Sequence, residues 1–310
     1  MDINKLKLLV VMIRFMRDFF NFTTMSLLSH LPESKQQEIA EILEIIKEEA
    51  KPEKIILFGS HTSDKWVEDE YVEDGVRYSY ISDYDFLIVI KKSDEQEKEH
   101  AIISHIENRT DHIKNAVSPI VHDIDYINEG LRFGQYFFTD IIREGILLYD
   151  TDNYQFVESA KLTPQEEAEK AKGYFDIWFP RGQGFLKGAN FYLTESDVRL
   201  SAFSLHQAAE CFYNTALLVF TGYKPKTHNL QKLRNYAKHI SSALYAIFRT
   251  PISDEREYHL FDLLKRGYID ARYKPDYHIT ADELQTLIEK AIRMQEVVER
   301  ISKEKIGRKS

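Results

Sequence analysis

The apolar positions of the first half of this chain change period repeatedly. Between residues 33 and 50, Ile39, Leu43, Ile46 and Ala50 recur at helical spacing among Glu and Lys, and Lys51-Pro52 stops the pattern. The run Ile55-Ile56-Leu57-Phe58 closes at Gly59 and predicts a strand over 54–58. Residues 61–82 are polar and aromatic, with the acidic run Glu68-Asp69-Glu70 and a turn signal at Asp74-Gly75, which predicts an inserted hairpin. A second apolar strand follows over 83–90, then a helix over 94–115, a third strand over 119–127, a helix over 131–144 and a short strand over 146–149. Strands alternating with helices predict an α/β domain, a mixed sheet with helices, spanning 31–150.

Beyond residue 150 the strand signal stops. Residues 151–164 are polar and read as a linker, and Thr163-Pro164-Gln165-Glu166 reads as a helix start. Leu200, Phe203, Ser204, Gln207, Ala208, Cys211, Phe212, Thr215 and Leu218 trace one face of a long helix that Gly222 and Pro225 end. Further helices are predicted over 228–248, 254–270 and 280–304. Long helices with short links predict an all-α antiparallel helical bundle over 165–310.

Composition narrows the class. A chain of 310 residues has room for two domains. A net charge of −9 weighs against coating nucleic acid nonspecifically but leaves room for a local basic site. The single cysteine, Cys211, excludes an intramolecular disulfide and a Cys-rich zinc site, and it fits a reducing, cytoplasmic setting. On its apolar helix face it reads as a core thiol. Residues 1–30 form an N-terminal extension. Its apolar stretch, Met1 to Thr24, is interrupted by Lys5, Lys7, Arg14 and Arg17, too often to span a bilayer, so no membrane is expected. It reads either as an amphipathic surface helix or as an upstream start preceding an initiator at Met25.

The candidate chemistry begins at Asp83 and Asp85. Two residues apart in a strand, they share a face, and neighbouring carboxylates repel unless a divalent cation joins them. Gly59 lets backbone approach a phosphate, and Ser60 supplies a hydroxyl donor. Asp123 and Asp125 form a second pair on the predicted third strand, expected to converge on the first if the strands are neighbours. In the second half, Lys224-Pro225-Lys226 through Arg234 and Lys265-Arg266 through Lys274 are locally basic. Arg272 and His278, with five residues between them, suit RNA cleavage: His moves a proton and Arg stabilises phosphorane charge. Tyr273 and Tyr277 are candidates for stacking on bases. His206 and His228 read as packed or capping histidines.

The apolar strand, Gly59-Ser60, a spacer and Ser82-Asp83-Tyr84-Asp85 resemble the minimal nucleotidyltransferases of the DNA polymerase β-like superfamily over residues 33–150. His61-Thr62-Ser63 stands where that family commonly has Ala-Arg-Gly, and the spacer is longer. The resemblance implies Mg²⁺-dependent transfer of a nucleoside monophosphate from ATP or another NTP. Gly59 and Ser60 would hold the triphosphate, and Asp83, Asp85 and a third carboxylate the metal. That third residue is Asp125 or Asp123, with the spacing to Gly145 favouring Asp125. The acceptor would be a small molecule or a protein.

Ser201-Ala202-Phe203 through His206-Gln207-Ala208-Ala209-Glu210, then Thr221-Gly222-Tyr223-Lys224-Pro225 and Thr227-His228-Asn229-Leu230, are similar to HEPN domains. That resemblance covers roughly residues 165–305. It implies a homodimer and, with Arg272 and His278, a metal-independent ribonuclease. A nucleotidyltransferase joined to a HEPN domain is similar to a toxin–antitoxin pair in which the transferase modifies a tyrosine two residues after the histidine. Here that position is Thr280. A non-catalytic nucleotide-binding module is the third reading.

Overall fold

The computed structural model describes residues 26–63, 66–73, 76–92, 96–248 and 254–307. The expected N-terminal helix or upstream start and the Asp74-Gly75 turn lie outside them. The chain divides into an α/β unit, mainly residues up to 160, and an all-α unit, mainly residues 161 onward.

The first unit is built on a four-stranded mixed sheet in the order β5-β4-β1-β6. Its strands are β1 (Lys54–Phe58), β4 (Tyr84–Ile90), β5 (Val117–Asp123) and β6 (Ile146–Asp150). β2 (Glu68–Glu73) and β3 (Val76–Ile81) pair as the inserted hairpin. β1 runs antiparallel to β4 and β6, whereas β5 runs parallel to β4 after the crossover through α2 (Gln96–Arg109). Every residue of β4 is buried. Tyr84, Phe86, Ile88 and Ile90 pack with Ile39, Ile42 and Ile46 of α1 (Glu33–Ala50) and with Ile106 of α2. The intervening residues, Asp85 among them, take the opposite face, as the period of two requires.

Two expectations are corrected here. The third strand ends at Asp123, not at Ile127, because the Asp123 carboxylate accepts a hydrogen bond from the Tyr126 amide at 2.8 Å and starts α3 (Ile124–Arg132). The helix expected over 131–144 is instead α3 followed by α4 (Tyr136–Glu144), with Gly134 between them.

From residue 161 onward every regular element among the described residues is a helix. These are α5 (Pro164–Thr194), α6 (Val198–Thr221), α7 (Leu230–Lys238), α8 (Ser242–Ala246), α9 (Glu255–Arg266), α10 (Asp270–Tyr273) and α11 (Ala281–Gly307). The expected start is a capping box: Thr163 and Glu166 bond each other's backbone amides at the head of α5. α6 is the central helix, buried almost along its length and packed by α5, α7 and α11. Gly222, at φ +68°, ends it in the left-handed conformation that a side chain would resist. The helix expected over 228–248 is broken into α7 and α8, and that over 254–270 into α9 and α10. Among the described residues no helix is long and apolar enough to cross a membrane.

Candidate functional site

In the first unit the candidate chemistry sits where β1 leaves the sheet. Phe58 pairs with Asp85 across the antiparallel ladder, which brings the next residue, Gly59, against the Asp85 carboxylate. Gly59 has φ +80°, and a Cβ there would lie 2.5 Å from Asp85 Oδ2. Only glycine fits. A 3₁₀ turn over Gly59–Thr62 follows, with Ser60 half-buried and the Thr62 hydroxyl donating to the Gly59 carbonyl at 2.9 Å. Asp85 is 8% exposed, so its carboxylate is largely withdrawn from water.

His61 braces this edge from below. It is fully buried, its Nδ1–H donates to the Asp83 carbonyl at 3.0 Å, and its ring lies 4.4 Å from that of Tyr84. Burial pushes the imidazole pKa down to about 4, so the ring is neutral. The Tyr84 hydroxyl donates to Glu38 at 2.5 Å, and burial followed by that bond raises its pKa. Buried Lys35 bonds Asn115 at 2.7 Å and pairs with Glu68 at 3.0 Å. Asn115 in turn donates to the Ser82 carbonyl at 2.9 Å. The turn that presents Asp83 is therefore held by a polar network from α1 and from the segment before β5. Its signal in the sequence is a lysine, Lys35, on the apolar side of a helix.

The second acidic pair does not join the first. β5 runs parallel to β4, with Asp85 level with Ser118 and Ile90 level with Asp123. Asp123 thus lies five residues along, roughly 17 Å away at strand rise. Its odd offset also turns it to the opposite face. Its carboxylate caps α3, and Asp125, already on that helix, pairs with Lys92 at 3.2 Å in solvent. The expectation of a third carboxylate at Asp125 or Asp123 is corrected accordingly. The level position carries Ser118, whose hydroxyl donates to Asp83 Oδ2 at 3.4 Å. Among the described residues no group of three or more His, Cys, Asp or Glu side chains converges to hold a metal. Two carboxylates beside the exposed Gly59 backbone still fit one Mg²⁺, an ion commonly bound by one or two carboxylates plus substrate phosphates.

In the second unit the structure separates the two motif residues. The exposed Arg272 guanidinium lies 4.6 Å from the Tyr268 ring and 4.8 Å from those of Phe203 and Tyr273, and its Nε donates to the Tyr268 carbonyl at 2.6 Å. His278 instead lines a cavity of about 900 Å³ with Glu195, Arg199, His259, Tyr277 and Glu283, and Arg272 is not part of that wall. No hydrogen bond, ion pair or ring contact joins Arg272 to His278. Arg199 fixes the intervening chain by donating to the carbonyls of Ala271, Lys274, Pro275 and Tyr277. Tyr277 is 2% exposed and donates to the Leu263 carbonyl at 3.1 Å, so of the two tyrosines only Tyr273, 71% exposed, faces solvent. Arg234, counted in a basic stretch, is buried and stacks on Tyr245 at 3.8 Å.

His206 is a packed histidine, as expected, with Nδ1–H donating to the Leu264 carbonyl at 3.0 Å and burial lowering its pKa. Cys211 is likewise a core thiol, its pKa pushed up to about 11 by burial. His228 is different. Its side chain is 55% exposed, its Nδ1 lies 3.0 Å from both oxygens of Glu210, and its ring stacks on Tyr268 at 4.5 Å. Sequence reasoning passed over this pair. The signal was Glu210, a charged residue on the apolar face of α6, ahead of the Gly222 turn that brings His228 back beside it.

No curated protein matches the chain. Residues 175–301 match the family model of the HEPN domain, so the helical unit carries a HEPN domain.

Proposed function

We propose that the α/β unit is a nucleotidyltransferase that moves a nucleoside monophosphate from an NTP, ATP foremost, to a small-molecule or protein acceptor. The observation that carries this reading is the contact between Gly59 and Asp85, which puts the exposed Gly59 backbone beside two carboxylates at one end of the sheet. Asp83 and Asp85 would hold Mg²⁺, which when bound neutralises phosphate charge and polarises the transferring phosphoryl group. Gly59, exposed and without a side chain, would let the triphosphate approach the backbone, and the Ser60 hydroxyl would donate to it. His61 stays neutral beneath the edge and fixes the Asp83 backbone. Incubating the full chain with α-labelled ATP and Mg²⁺ tests this. Label should pass to an acceptor or to the protein itself, and Asp83→Ala with Asp85→Ala should abolish the transfer. Equal labelling by wild type and the double variant, or none by either, refutes it.

A second activity is favoured by the HEPN match together with the exposed Arg272 on its aromatic bed. In this reading the helical unit cleaves RNA without metal, with Arg272 stabilising the phosphorane. Cleavage of an oligoribonucleotide that persists in EDTA and falls in Arg272→Gln is the expected result. An Arg272→Gln chain that cleaves as fast as wild type removes this reading.

A further inference from the structure

The Glu210–His228 pair is unassigned by anything above, and it has the construction of an acid–base dyad. Glu210 is withdrawn from solvent, with a side-chain exposure of 9%. The Gln207 amide donates to it at 3.2 Å. A carboxylate accepts only, so His228 Nδ1 must carry the proton it shares with Glu210, which leaves the lone pair on Nε2. The ring is too exposed to be a packing residue, and it is clamped flat by Tyr268 on one side and by the carboxylate at its edge. Such a fixed tautomer and orientation are what a general base requires.

Two further observations point into the same place. His206 is buried, its Nδ1–H is committed to Leu264, and its Nε2 lies 3.7 Å from Glu210 Oε2. Arg272 lies against the same Tyr268 ring that carries His228, with Phe203 completing the bed. A general base, an anion-stabilising guanidinium and an aromatic platform therefore gather around one tyrosine, which the separated Arg272 and His278 do not achieve.

We propose that His228, positioned by Glu210, is the general base that works with Arg272 on RNA, an inference that rests on the ribonuclease reading above. His228 Nε2 takes the proton of a 2′-hydroxyl, and the 2′-oxygen attacks the adjacent phosphorus. Arg272 stabilises the charge on the non-bridging oxygens. The bond from phosphorus to the 5′-oxygen breaks, that oxygen takes a proton from solvent, and His228 releases its own to solvent. The products are a 2′,3′-cyclic phosphate and a 5′-hydroxyl, with no metal and no net water consumed. Tyr268 and Tyr273 offer ring faces to the flanking bases.

The test uses the full chain and a labelled oligoribonucleotide in EDTA. Wild type should yield 2′,3′-cyclic phosphate ends, and His228→Gln should lose about 100-fold or more in kcat. His278→Ala should keep the activity. Glu210→Gln should lower kcat with KM little changed, and Glu210→Asp should restore part of the loss. Nitrogen NMR of the imidazole should report the Nδ1–H tautomer of His228 in wild type. Cleavage lost in His278→Ala but retained in His228→Gln overturns the assignment while the ribonuclease reading stands. A wild-type chain inert toward RNA overturns both.

Discussion

Replacing Gly59 by alanine probes the contact on which the first site depends. Two costs add. At φ +80° a residue with a Cβ is strained by about 1–2 kcal/mol. The new methyl carbon would also sit 2.5 Å from Asp85 Oδ2, so the carboxylate must leave its rotamer, at about 0.5–1.5 kcal/mol. The single variant should therefore lose roughly 1.5–3.5 kcal/mol. In an Asp85→Ala background the clash vanishes and only the backbone strain remains, so the two substitutions should couple by about 0.5–1.5 kcal/mol. Urea unfolding measures this. The chain has two tryptophans, and Trp66 packs against the core of the first unit. Carrying Trp178→Phe throughout makes Trp66 fluorescence a report on that unit alone. Equal costs in both backgrounds would show that Gly59 does not touch the carboxylate, and the proposed site would go with it.

Asp123→Ala should remove the α3 cap and cost about 1 kcal/mol by the same assay, while leaving ATP labelling intact. Asp125→Ala should fall within about 0.5 kcal/mol of wild type, its partner Lys92 being exposed; loss of labelling in either variant contradicts the observed register. His61 is held near pKa 4 in the folded chain against 6.5 for the free group, so the unfolded chain binds more protons between those values. Stability should be full above about pH 6.5 and fall as pH drops toward 4. A pH series in urea should show this slope flattened in His61→Phe, and an unchanged slope refutes the assignment. Arg199→Met should free four backbone carbonyls, and hydrogen exchange over 271–278 should rise by at least tenfold against an unchanged α6 core.

The α/β order, the Gly59-Ser60 corner, the Asp83–Asp85 face and the bundle were all legible because each rests on local rules: strand period, helix period, capping and turn chemistry. What the sequence hid was level. Alternation says that Asp123 and Asp125 share a face if both lie on a strand, but Asp123 is also a good helix cap, and that local bond won. Nor does alternation say which residues of parallel strands lie abreast, which depends on where the crossover helix delivers the chain. The pairing of Arg272 with His278 failed for a similar reason. Five residues containing Pro275 set a distance along the chain, while Arg199 decides which way the segment turns. Glu210 and His228 are eighteen positions apart, and only the Gly222 turn makes them neighbours.

Strand register is also a coordinate for redesign. No side-chain rotation can carry Asp123 or Asp125 to the end of the sheet where Asp83 and Asp85 lie, because Asp123 sits five residues along β5 on the opposite face and Asp125 lies beyond it on α3. Ser118 is already there, level with Asp85 and touching Asp83. A single acidic substitution at that address would turn a two-carboxylate end into a three-carboxylate one. The number of carboxylates at that end of the sheet is thus set by one side chain on β5, without any change to the sheet that carries it.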